Sequence, residues 1–223
     1  MVMSASFLRL TAIALLATTL TACVGTRKGV DPTLRIQSGQ GSELGVSTHY
    51  GVVFLGRHTN AGPVEIEAMF GDGPSIESSV VDPLGGGLYT AETDIQLPAV
   101  PLTFKQLEPG QSVLVRGRSG RSSWERWLTV REDPRVHGIL LETARELEGN
   151  PDQIGAGVFL KPTSKPYDLR LIGLVSGRIR LRNADGDWRT YLTVEGPESL
   201  WRLVTHRRKT DKRRKWVYRE DVL

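Results

Sequence analysis

Few residues of this 223-residue chain offer covalent or acid–base chemistry, and they are scattered. Cys23 is the single cysteine, which excludes an intramolecular disulfide and a cysteine metal cluster. The four histidines, His49, His58, His137 and His206, show no metal-ligand spacing, so neither a metal nor a cofactor is expected. His58 closes the apolar segment Gly51–Leu55, from where an imidazole could serve as a general base. A base needs a nucleophile to activate. The loop Asn150-Pro151-Asp152-Gln153-Ile154-Gly155-Ala156 holds no hydroxyl or thiol, and Ile154 has neither an oxygen nor a proton to lose. Asn183-Ala184-Asp185-Gly186-Asp187 has oxygen ligands but lacks the distal glutamate of a calcium loop, and reads as a hairpin turn. Arg116-Gly117-Arg118-Ser119-Gly120-Arg121 reads as a solvated hairpin tip rather than an anion grip.

The elements that hold these residues are short β segments separated by Gly, Pro, Asn and Asp. Before the turn signal Glu108-Pro109-Gly110 the candidates are Leu44–Thr48, Gly51–Leu55, Val64–Phe70, Ser75–Val81, Leu88–Ile95 and Val100–Phe104. After it come Ser112–Gly117, Trp124–Arg131, Gly138–Glu142, Gly157–Leu160, Leu169–Gly177 and Thr190–Val194. This spacing argues an all-β chain of barrels or sandwiches. Trp124, Trp127 and Trp188 are expected in the core or at a barrel rim. One helix is predicted over Pro197–Val204, with proline in its first turn and basic residues at its end.

Charge is placed unevenly. Residues 202–219 hold nine Lys/Arg against Asp211 alone, while the chain as a whole is only +4. Arg207, Arg208, Lys212, Arg213 and Arg214 are therefore candidates for binding an anion. The same stretch also reads as a helix end followed by a docking strand, Lys215–Tyr218, and the sequence leaves both open.

At the other end, the apolar run Leu10–Ala22 is too short to span a membrane comfortably. It closes in Leu20-Thr21-Ala22-Cys23, which is similar to the lipobox of bacterial lipoproteins. That resemblance implies a signal peptide over 1–22 and a diacylglycerol on the Cys23 sulfur, giving a durable anchor in the cell envelope. Val24 stands where an aspartate would retain a lipoprotein at the inner membrane, so an outer membrane facing the periplasm is implied where the cell has two. Nucleic acid is then a poor partner for the basic tail, and anionic lipid or cell-wall polymer a better one. Residues 23–43 read as lipidated cysteine and tether, with Leu34-Arg35-Ile36 as a candidate short strand.

The ordered segments between about 44 and 182 resemble trypsin-like serine peptidases of the Deg (high-temperature-requirement) kind. Gly51–His58 lies where that family has a strand ending in its catalytic histidine, followed by the Val64–Phe70 strand and Asp72-Gly73 turn. Asn150–Ala156 lies where it has its nucleophile loop, and Leu169–Gly177 is similar to the strand beyond it. The resemblance implies two six-stranded β-barrels, over 44–106 and 107–196, with the helix and basic tail over 197–223. It also places Gly87 at the family's aspartate and Ile154 at its serine, so that only His58 of the triad remains and no catalytic residue is expected. Asp82 or Asp94 could supply a carboxylate, and Ser164 or Ser176 a displaced hydroxyl, if the chain were an active peptidase with His58 as its base. Otherwise the backbone at Asp152, Ile154, Gly155 and Ala156 could bind a carbonyl or carboxylate, and the strand Val175-Ser176-Gly177 could pair with an extended peptide or envelope protein. Side chains such as Ile154 filling the cleft are an equal alternative. The expectation is a non-catalytic, membrane-anchored binding or scaffolding module.

Overall fold

The computed structural model describes residues 31–58, 62–70, 73–93, 98–120, 122–143, 153–160, 169–183 and 185–220, with backbone alone at 69, 70, 73–78 and 210–220. Cys23, Asp94, Asp152 and Ser164 lie outside the described residues. Pro32–Leu223 forms one compact unit.

Seven antiparallel strands come first: β1 Thr33–Ser38, β2 Gly41–Thr48, β3 Gly51–Phe54, β4 Val64–Phe70, β5 Gly73–Ser79, β6 Val81–Gly85 and β7 Leu88–Ala91. They form one sheet in the order β5-β4-β1-β2-β3-β7-β6. Six follow: β8 Ser112–Ser119, β9 Ser122–Arg131, β10 Ile139–Glu142, β11 Gly157–Leu160, β12 Arg170–Arg182 and β13 Trp188–Glu195. These close into a barrel, β10-β13-β12-β11-β8-β9. The helix α1, Pro197–Glu220, completes the chain.

The period of two along each strand decides what goes where. In β8, Val113 and Val115 point into the barrel core with Leu141, Ile172 and Leu192, while Leu114 points out. Leu114 meets Phe159, Leu171 and Leu174 of the barrel and Val46, Val53 and Leu88 of the seven-stranded sheet in a second, shared core. The far face of that sheet packs Leu34, Ile36, Phe54 and Ile66 into a third. Pro197 opens α1 at a position whose missing N–H is no loss. Leu200, Leu203 and Val204, on one helix face, are buried, the two leucines in the shared core.

The expected fold class holds, with corrections to its parts. The sheet begins at Thr33, so β1 and the start of β2 lie in the segment read as tether. Thr33, Leu34 and Ile36 are its buried positions, and the candidate strand Leu34-Arg35-Ile36 is its centre. The first half has seven strands rather than six. Val100–Phe104 makes two isolated parallel bridges, Val100 to Thr48 and Leu102 to Leu171, and connects the two sheets instead of forming a strand. Lys215–Tyr218 is helical, because α1 runs on through the basic tail. Trp127 and Trp188 are exposed on the barrel surface, and Trp124 alone of the three packs against the core.

Candidate functional site

His58 is positioned by its backbone. The chain leaves β3 through Leu55 and turns at Gly56, whose φ of +66° and close approach to the Tyr89 ring leave no room for a side chain. The buried carboxylate of Glu43 accepts hydrogen bonds from the N–H groups of Arg57 (3.3 Å) and His58 (3.4 Å). The hydroxyl of Ser38 donates to the His58 carbonyl. Both main-chain groups of His58 are thus held from β1 and β2, and its exposed imidazole lies over Gly41.

The second piece is the turn Gln153–Ala156 ahead of β11. Gly155 has a φ of +83°, and a Cβ there would stand 2.4 Å from the Leu44 carbonyl oxygen of β2. Its N–H donates to the Val175 carbonyl at 2.8 Å, and the Ala156 N–H donates to the Gln153 carbonyl at 3.1 Å. These donors were expected to face a ligand. They are instead consumed in holding the turn against β12, so Gly155 and Ala156 do not form an anion-binding pair. Ile154, half-buried, packs against both the barrel core and the shared core.

The strand Val175-Ser176-Gly177 is altered in the same way. Val175 also donates to the Ala156 carbonyl at 2.9 Å, so both its backbone groups are used by the turn. Ser176 sits at a β-bulge against β13, its hydroxyl 3.1 Å from that of Thr193. The guanidinium of Arg57 donates to the Ser176 carbonyl. A peptide added along this edge would have to displace Arg57.

His58 and Ile154 line one cleft of about 210 Å³, together with Arg35, Arg57, Arg118 and Glu43. The arginines were not legible as site residues. Arg118 was expected at a solvated hairpin tip, yet β8 continues through it, burying the side chain with its guanidinium 3.4 Å from the Thr33 carbonyl. The alternation Leu114, Arg116, Arg118 was the signal for that extension. Among the described residues no carboxylate or hydroxyl is hydrogen-bonded to the His58 ring. Glu43 serves the backbone, and Asp82 lies 3.4 Å from Nε2 of His206 on α1. Gly87 lies in the β6–β7 turn, and the pairing of Phe54 with Tyr89 carries it to the end of the sheet where the chain leaves β3 toward His58. It does not line the cleft. Its neighbours Gly85 and Gly86 lie against the Arg202 guanidinium.

The basic tail stands apart from this cleft in its contacts. Arg207 approaches Glu92 at 3.4 Å, and Arg208 stacks over Trp201, which in turn meets Phe104 edge-on at 5.1 Å. Lys212, Arg213 and Arg214 continue the helix.

No family model matches the chain, and no curated protein matches it in sequence. Solved structures do. The MamO protease domain from Magnetospirillum magneticum is 15% identical and covers 75% of this chain and 94% of that one, with a TM-score of 0.50. Kallikrein-related peptidase 10 is also 15% identical, over 74% of this chain and 91% of its own, at 0.50. The fold is that of the trypsin-like serine peptidases: a closed six-stranded barrel, a second sheet and a C-terminal helix.

Proposed function

We propose that this chain is a non-catalytic protein of trypsin-like fold that binds rather than cleaves, held at the bacterial cell envelope through a lipid on Cys23. One observation supports the reading above others: Ile154, at the position the resemblance gives to the nucleophile, lines the cleft with His58 and cannot attack a carbonyl. The ligand on this reading is an extended peptide or envelope protein. The basic tail carried by α1 is the part that would meet anionic lipid or cell-wall polymer, consistent with a lipid-anchored protein facing the periplasm.

The test is fluorophosphonate labelling of the full mature chain beside a casein digestion. Neither label nor cleavage is expected. The alternative is an active serine peptidase with a displaced nucleophile and His58 as base. What favours it is that Ser42 lines the same cleft, and label on Ser42 or Ser176 would establish it. The anchor has its own test: Cys23→Ser is expected to move the protein from the membrane to the soluble fraction.

A further inference from the structure

The cleft beside His58 carries more positive than negative charge, and the excess is built into strands. Arg35 comes from β1, Arg57 from the turn after β3 and Arg118 from β8, so two sheets contribute. Against these three guanidinium groups stands one carboxylate, Glu43, which is already bonded to two backbone N–H groups. Arg35 reaches only the Ser42 hydroxyl, at 3.4 Å, and Arg57 only the Ser176 carbonyl. Neither has a carboxylate partner among the described residues. Two cations with neutral acceptors, Arg35 half-buried and Arg57 exposed, form a field at the cleft that an anion would relieve.

The remaining walls narrow the chemistry. The half-buried Ile154 lines the same space, so apolar surface lies beside the guanidinium groups. The volume of about 210 Å³ is below the roughly 300–1,000 Å³ of pockets that hold a drug-sized ligand. It fits the end of something larger. Planar guanidinium forks match a carboxylate better than any other common anion of a polypeptide. A carboxylate and an apolar side chain on one carbon describe the last residue of a chain that ends in Val, Leu or Ile.

We infer that this cleft captures the free C-terminus of a partner polypeptide, with Arg35 and Arg57 on the carboxylate and Ile154 against the terminal side chain. This rests on the non-catalytic reading and names the ligand class of that site. Arg57 then has two roles: it leaves the Ser176 carbonyl when the carboxylate arrives, and the bulged strand becomes free to pair with the peptide leading into the cleft.

The experiment is calorimetric titration of the full mature chain, in detergent micelles, with acetylated Ala-Ala-Val bearing a free carboxylate. The same peptide as its amide and inorganic phosphate are the comparisons. The acid is expected to bind at least tenfold more tightly than the amide and to weaken as salt is raised. Arg35→Gln, a change at a half-buried surface position, is expected to abolish the difference while leaving the circular dichroism spectrum and Tm in place. Ile154→Asp is expected to abolish binding of the acid. Equal binding of acid and amide would overturn the inference, as would phosphate binding as tightly as the acid, which would mark a general anion site. Either result leaves the non-catalytic reading intact, whereas a labelled serine would overturn that reading whatever the peptides do.

Discussion

Arg57 donates a hydrogen bond to the carbonyl of Ser176, joining the turn after β3 to the bulge in β12. The two residues belong to different sheets, and the bond crosses the groove between them beside His58. Replacing Arg57 with Ala should therefore raise amide exchange at Ser176–Gly177 more than elsewhere in β12. Because the guanidinium is solvent-exposed, the loss of stability should be small, about 0.5–1 kcal/mol. Mass spectrometry of exchange, with a urea titration alongside, checks both parts. Uniform exchange along β12 would argue against a local clasp.

Gly155→Ala should be far more damaging. The new Cβ would meet the Leu44 carbonyl at 2.4 Å, and backbone cannot swing aside as a side chain can. The left-handed φ adds its own strain. Together these should cost roughly 2–3 kcal/mol, read as a shift in the urea midpoint.

Ile154→Ser places a hydroxyl at the position the resemblance gives to the nucleophile but should not produce hydrolysis. An imidazole base depends on a carboxylate to hold its tautomer and stabilise its charged form, and Glu43 is turned to the main chain. The variant is expected to remain unlabelled by fluorophosphonate and to lose about 1–2 kcal/mol of stability from the half-buried side chain. Cleavage of casein by this variant would show that a carboxylate does reach His58.

Acid should loosen the β9–β10 turn. Asp133 accepts from the Arg135 side chain at 2.6 and 2.8 Å and from its N–H at 3.0 Å, and these bonds hold its carboxyl at about 2 instead of 3.8. A depressed value means that the folded state favours the ionised form. The contribution is full above pH 3.8 and fades as pH falls through about 2. The Tm gap between the native chain and Asp133→Asn should accordingly be constant from neutral pH down to about 4 and shrink below that. A gap that persists at pH 2 would show that the turn does not depend on the carboxylate.

Much of the fold could be read from local pattern, and the failures share a cause. Val64–Phe70 matches its strand at both ends because apolar residues alternate along it, and Gly157–Leu160 does so as a short continuous apolar run. Thr33–Ser38 offered two apolar residues and pairs with both β2 and β4, so what sets its full length as a strand is its neighbours. Trp127 shows the converse: an aromatic in a strand, assumed to be inside, stands on the exposed side of β9. Within the site, spacing pointed to His58 and Ile154. Arg35, Glu43 and Arg118 are separated from them by tens of residues and meet only through strand register. Continuation of α1 past Val204 follows from the good helix propensity of Lys and Arg, which outweighs the strand preference of Trp216, Val217 and Tyr218.

Leu44 is a strand residue of the seven-stranded sheet, yet its side chain completes the core of the barrel. Val46, two positions on, completes the shared core with Leu114 and Phe159. Neither half of the chain therefore owns all of the apolar residues its interior requires. Denaturation should be a single cooperative transition, with no plateau in which the barrel survives its partner sheet. Cutting the connector between Leu102 and Ser112 should yield two pieces that are each unfolded alone and regain structure only when mixed.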